Sequence, residues 1–94
     1  MLCRGPKVGS MQWIVLNELI KANAAAEGDT YPVLITELAQ RSGSKNVPLI
    51  IDELSRRGNR IVADSLNEKP AYRLIRMMSF DFTSDSWPIG EWER

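Results

Sequence analysis

Residues 37–61 contain two short helical segments with only a few residues between them, in the stretch ELAQRSGSKNVPLIIDELSRRGNRI. The first segment is expected to end at Gly43, and Asn46 is placed to cap the second by accepting a hydrogen bond from a free backbone N–H. Pro48 stands in the first turn of that second segment, where its missing N–H costs no hydrogen bond. Gly58 adopts a left-handed conformation without strain and ends the segment. The chain must therefore fold around a tight corner between two helices.

Apolar residues recur every three to four positions in three stretches, which is the spacing of an amphipathic helix. The first predicted helix covers residues 11–26, with Ser10 placed to cap it and Gly28 placed to end it. The second covers residues 33–41 and the third residues 47–57. The inward stripe of the first helix is Trp13, Leu16, Ile20 and Ala24, and that of the third is Val47, Ile50, Ile51 and Leu54.

Beyond Gly58 the apolar period changes from that of a helix to that of a strand. Residues 60–63 and 71–75 are short β-prone runs, and residues 64–70 between them form a polar connection that ends in a proline. Two such runs joined by a polar turn predict a β-hairpin. A further short strand is predicted over residues 79–83.

This order of elements resembles that of a known family over residues 35–76. Leu38-Ala39 followed by Gly43 resembles the L-A-x-x-x-G pattern, and LSRRG at residues 54–58 followed by Ile61-Val62 resembles L-x-x-x-G-x-[IV]. Both patterns belong to the winged helix-turn-helix superfamily of DNA-binding regulators. The resemblance implies an α+β fold with three helices, a β-hairpin wing and a third helix that reads DNA. The chain departs from the family in two ways. The spacing from Gly43 to Gly58 is shorter, and two acids, Asp52 and Glu53, lie in the middle of the third helix.

Three segments are predicted along the 94 residues. Residues 1–10 contain two glycines and a proline without any period, so we expect a flexible segment, and Met11 could equally be the functional start. Residues 11–76 form the winged-helix domain. Residues 77–94 form an aromatic and acidic C-terminal extension.

The net charge of zero hides a gradient along the chain. Residues 35–76 carry eight basic and five acidic side chains, whereas residues 77–94 carry four acids and one arginine. A partner responds to this local potential rather than to the total charge. The predicted DNA-contacting residues of the third helix are Lys45, Asn46, Leu49 and Arg56, and those on or beside the hairpin are Arg60, Asn67, Lys69 and Arg73.

These side chains suit two kinds of contact with duplex DNA. Asn46 can hydrogen-bond adenine, while Lys45 and Arg56 can contact guanine or the backbone. The basic residues of the hairpin can contact phosphate. The acids Asp52 and Glu53 are also predicted on the outward face of the third helix, where they oppose binding unless they pair with the arginines three or four residues further along.

A local excess of three positive charges is small for a DNA-binding protein, so a symmetric dimer with two half-sites is expected. Phe80 and Phe82 alternate with polar residues, which would place both rings on one face of a strand. Together with Trp87 and Trp92 they form the predicted dimer interface. The alternative is that these rings fold back on their own core.

Several classes of protein are not expected from this sequence. The chain has no histidine, a single cysteine at Cys3 and neither a P-loop nor a dinucleotide fingerprint, so we expect no enzyme, cofactor, metal or small-molecule ligand. No apolar run reaches the ~20 residues that cross a bilayer, so no membrane contact is expected, and one cysteine suits the cytoplasm. The prediction is a cytoplasmic double-stranded DNA-binding protein, a small transcriptional regulator. The alternative is a winged-helix module that binds other proteins and not DNA.

Overall fold

The structure is a computed structural model and describes residues 6–7, 9–27, 29–77 and 80–81. Its helices are Met11–Ala25 (α1), Ile35–Ser42 (α2) and Val47–Arg56 (α3). Its strands are Val33–Leu34 (β1), Arg60–Leu66 (β2), Lys69–Met77 (β3) and Phe80–Asp81 (β4). The fold is α+β, as predicted, with three helices and an antiparallel sheet that contains a hairpin.

Helix α1 begins where the sequence predicts, because the hydroxyl oxygen of Ser10 accepts a hydrogen bond from the backbone N–H of Trp13 at 3.2 Å. The helix ends at Ala25, and Glu27 then takes a left-handed conformation with φ of 57°. Gly28, which was expected to end the helix, lies outside the described residues. The polar side chain of Asn23 is fully buried and donates to the carbonyl of Leu74, which fixes α1 to β3.

The prediction of a helix from residue 33 was wrong for its first two positions. Val33 and Leu34 form β1 and pair with Tyr72 and Ala71 of β3, and α2 begins only at Ile35. No side chain caps the N-terminus of α2, so the sheet rather than a capping residue sets where this helix starts.

The sheet has the strand order β1-β3-β2, and every pairing in it is antiparallel. Strands β2 and β3 are joined by a two-residue turn at Asn67 and Glu68, whose φ angles are 52° and 66°. Positive φ at both positions is the signature of a type I′ turn. The predicted seven-residue connection over residues 64–70 was therefore too long, because Asp64–Leu66 pairs with Lys69–Ala71 as part of the hairpin.

Strand β4 lies within the predicted strand over residues 79–83. Its residues Phe80 and Asp81 pair with Met77 and Arg76 of β3. Ser79, Phe82 and Thr83 lie outside the described residues.

One hydrophobic core joins the helices to the sheet. The predicted stripe of α3 is confirmed, since all four of its residues are buried. The buried core consists of Val15, Leu16, Leu19, Ile20, Val33, Leu38, Val47, Ile50, Ile51, Leu54 and Leu74. Of the predicted α1 stripe, Leu16 and Ile20 are buried, whereas Trp13 and Ala24 are half-buried. No helix within the described ranges is long and apolar enough to span a membrane.

Candidate nucleic-acid interface

The corner between α2 and α3 is held by a chain of serine hydroxyls. Ser42 Oγ donates to the carbonyl of Leu38 at 2.6 Å and accepts from the backbone N–H of Ser44 at 3.2 Å. Ser44 Oγ in turn accepts from the backbone N–H of Asn46 at 3.1 Å. Gly43 makes the turn itself with φ of 74°. These bonds fix the direction in which α3 leaves the corner.

The outward face of α3 carries the four side chains that the sequence predicts there. Asn46 Oδ1 caps the helix by accepting from the backbone N–H of Leu49 at 3.3 Å. Lys45 and Asn46 are exposed at the start of the helix, Leu49 is 52% exposed one turn on, and Arg56 is exposed near its end. The structure thus brings these four residues to one surface, opposite the buried stripe.

Arg56 is engaged by an acid of its own helix. Its guanidinium lies 2.9 Å from the carboxylate of Asp52, and the two side chains are 77% and 53% exposed. An exposed pair of this kind contributes at most about 1 kcal/mol. The pair therefore holds Arg56 only weakly, but a phosphate that took Arg56 from Asp52 would lie beside an unpaired carboxylate.

Glu53 does not share the outward face, contrary to the sequence-based expectation. Gln12 Nε2 of α1 donates to Glu53 Oε1 at 2.9 Å, and Arg57 Nε donates to Gln12 Oε1, also at 2.9 Å. Glu53 is half-buried against α1 by these contacts. The outward face of α3 consequently carries one acid, Asp52, instead of two. Sequence spacing gave no signal for Gln12, which lies 41 residues from Glu53.

Two of the predicted hairpin residues lie at its tip. Asn67 occupies the first position of the turn, and Lys69 begins β3; both are exposed. Glu68 lies between them and is also exposed. The tip therefore presents one positive and one negative side chain.

Arg73 lies in the middle of β3 and is engaged within the chain. Its Nε is 3.2 Å from Asp64 Oδ2 on β2, and its Nη1 donates to Thr30 Oγ1 at 3.3 Å. The side chain is only 37% exposed. These contacts make Arg73 a tie between the hairpin and the segment before β1.

Arg60 begins β2 at the end of the hairpin away from the turn. Leu66 lies six positions further along the extended strand, which corresponds to roughly 20 Å. The structure thus separates Arg60 from Asn67 and Lys69, and it places Arg76 opposite Arg60 instead. The position of Arg76 leaves no signal in the sequence, because the register that brings it there contains an irregularity.

The predicted dimer residues are only partly within the described ranges. Phe80 lies in β4, and Phe82, Trp87 and Trp92 lie outside. In the described part of the chain, no three histidine, cysteine or acidic side chains come together as metal ligands. No protein-family model matches this chain, and neither a curated protein nor a solved structure matches it.

Proposed function

We propose that this chain is a winged helix-turn-helix protein that binds double-stranded DNA as a small transcriptional regulator. In this proposal α3 enters the major groove and the β2–β3 hairpin acts as the wing. The observation that carries it is the shared surface of Lys45, Asn46, Leu49 and Arg56 on a helix whose start is fixed by a hydrogen-bonded corner. A major groove admits one α-helix, and residues near the N-terminus of a recognition helix reach the base edges.

The charges of the described residues support this proposal. With Glu53 held against α1 and Asp52 paired with Arg56, the acids of α3 no longer oppose a polyanion as strongly as their number suggests. Lys45 remains exposed at the helix start, and Lys69 is exposed at the hairpin tip. Both lysines can release counterions from phosphate, which drives binding to DNA of any sequence.

Asn46 has a more restricted role than a bidentate reader of adenine. Its Oδ1 already accepts from the N–H of Leu49, so Nδ2 is the group that it can offer to a base or phosphate. Asn46→Ala removes both the cap and the contact, whereas Asn46→Ser keeps a capping oxygen. We expect both variants to relax discrimination at one base pair by about 1 to 3 kcal/mol, and only Asn46→Ala to lower the stability of the fold.

A titration of duplex DNA at two salt concentrations tests the function. Affinity should fall steeply as salt rises, with a log-log slope of roughly −0.9 for each phosphate contacted. Lys45→Ala and Lys69→Ala should weaken binding to all sequences about equally and each reduce the slope by about 1. Lys21→Ala is the matched control, because Lys21 is an exposed lysine of α1 that pairs with Glu18. Phosphate contacts are strongest at low salt. If the protein does not bind duplex DNA near ~50 mM salt, the DNA proposal is rejected.

A second function is favoured by one observation on the same face. Leu49 is 52% exposed beside the exposed Pro48 and Asp52, and an exposed leucine suits a protein partner better than a polyanion. In this alternative the outward face of α3 binds another protein and not DNA. Leu49→Lys separates the two functions. It should strengthen binding to duplex DNA if α3 faces DNA, and it should weaken binding to the protein partner if α3 faces a protein.

A further inference from the structure

We infer that the base of the β2–β3 hairpin is a binding site for a phosphate group, held between the guanidinium groups of Arg60 and Arg76. The site lies at the end of the hairpin opposite to the Asn67–Glu68 turn. It is separate from the outward face of α3, and it stands whether or not the chain binds DNA.

The two arginines are brought together by a β-bulge. Along the hairpin the register is regular from Leu66↔Lys69 to Ile61↔Leu74, and it shifts between Arg60 and Ile61. Without that shift Arg60 would lie opposite Ile75; with it, Arg60 lies opposite Arg76. Bulges re-aim side chains at the cost of a regular ladder. Here the result is a directly opposed pair of like charges, which destabilises a sheet unless an anion lies between them.

The other arginines whose side chains the structure describes are partnered within the chain, and these two differ from them. Arg41 pairs with Glu18 and Glu37, Arg56 with Asp52, and Arg73 with Asp64, while Arg57 donates to Gln12. In the part of the chain whose side chains the structure describes, neither Arg60 nor Arg76 forms an ion pair, and both are exposed. Two arginines in register, without an ion-pair partner among the described side chains, can together bind an external anion.

The space beside this pair is a shallow cleft, widely open to solvent, between the end of α3 and the base of the hairpin. Ser55 and Asn59 line it on the helix side, and Arg60, Val62 and Arg76 line it on the sheet side. Gly58 also lines the cleft, with φ of 100°, where no side chain narrows the opening.

A phosphate group fits this arrangement better than a carboxylate does. Each guanidinium donates two parallel hydrogen bonds to an oxyanion, and two such forks need the three or four oxygens of a phosphate. A carboxylate carries one charge and two oxygens. Asp81 in β4 is the register partner of Arg76 and is the carboxylate within the described residues that competes with such an anion.

Thermal unfolding of the full chain in phosphate and in chloride, at equal pH and ionic strength, tests the site. A bound ligand raises the melting temperature in a saturable way, whereas the general stabilising effect of phosphate on proteins is common to all variants. Arg60→Gln and Arg76→Gln should lose the saturable increase and melt no lower than the wild type in chloride, since the like-charge repulsion is gone. Arg56→Gln, which alters an exposed arginine already paired with Asp52, should keep the increase.

Two results would overturn the inference. One is a saturable increase in Arg60→Gln and Arg76→Gln equal to that of the wild type. The other is a wild type without any saturable increase, which is expected if Asp81 alone satisfies both guanidinium groups.

A second arm identifies where the phosphate comes from. If the site takes a DNA backbone phosphate, Arg76→Gln lowers affinity for all duplexes equally and reduces the salt slope by about 1. If it takes a free phosphate group, Arg76→Gln loses the response in melting and its affinity for DNA stays within that of the Lys21→Ala control. A failure of DNA binding by the wild type rejects the proposed function and leaves the melting result as the test of this site.

Discussion

Gly43 carries the backbone conformation on which the α2–α3 corner depends. Its φ of 74° is accessible to glycine without strain, and it lets the two serine hydroxyls on either side reach backbone groups. A Cβ at this position would meet no heavy atom within 4 Å. Any cost of a side chain here is therefore conformational rather than steric.

We predict that Gly43→Ala lowers the free energy of unfolding by about 1 kcal/mol, because alanine resists the left-handed region. Gly43→Asn should cost less, since asparagine tolerates that region. Urea denaturation of the three proteins measures both differences. Equal losses in the two variants would point to a side-chain clash in place of backbone strain.

At the scale of elements, the hairpin contains an unfavourable residue in its turn. Glu68 has φ of 66° in a type I′ turn, a position that glycine fills best. Glu68→Gly should stabilise the fold by about 0.5 to 1 kcal/mol, since the relief of left-handed strain exceeds the extra entropy of glycine in the unfolded chain. Thermal melts decide this, with Glu68→Ala as the control that removes the charge and keeps the strain. A gain of the same size in Glu68→Ala would assign the effect to charge.

Helix α3 has two leucines on opposite faces, which makes a matched pair of substitutions. Leu54 is fully buried in the core, and Leu49 is 52% exposed on the outward face. Leu54→Ala should destabilise the fold by roughly 2 to 5 kcal/mol through a cavity under α3. Leu49→Ala should change stability by less than about 0.5 kcal/mol, which is typical of a surface position. Similar melting temperatures for the two variants would show that the helix is rotated from the orientation described.

The parts of the fold that local chemistry determines were predictable from the sequence. Ser10 and Asn46 cap their helices, and Gly43 and Gly58 adopt positive φ where the pattern expects them to. Strand β1 was not predictable, because its two residues form a strand only by pairing with Ala71 and Tyr72, which are remote in sequence. The turn is shorter than the sequence predicts because Pro70 does not break the strand. It pairs with Ser65 inside the hairpin, next to the two residues of β3 that pair with β1.

The candidate site divides in the same way. The outward face of α3 follows from the helical period, which also gave the buried stripe. The positions of Glu53 and Arg73 depend on Gln12, Asp64 and Thr30, which are remote in sequence or lie on another strand. Such contacts leave no periodic signal. They change the site nonetheless. The contact with Gln12 removes Glu53 from the outward face, and the contacts with Asp64 and Thr30 engage Arg73.

For the whole molecule, the distribution of charge limits how a single copy can bind DNA. Residues 35–76 carry eight basic and five acidic side chains, and Arg73 and Arg56 are among those already paired. A single copy can therefore offer only a few side chains to phosphate, and its binding is expected to be weak. Two copies related by a two-fold axis double the number of contacts and read two half-sites. We accordingly propose that the chain acts as a homodimer.

The dimer interface is proposed to include Phe80, Phe82, Trp87 and Trp92. Truncation after Met78 removes all four residues and leaves intact the helices that hold Leu16, Leu38 and Leu54 in the core. Light scattering should then report the loss of dimer mass, while circular dichroism retains the helical signal. The salt slope for duplex DNA should fall by about half, because each monomer keeps only its own phosphate contacts. A truncated chain that stays dimeric contradicts this interface, because the dimer then forms without these rings. A full-length chain that is monomeric at high concentration also contradicts it, and the rings then pack on their own core.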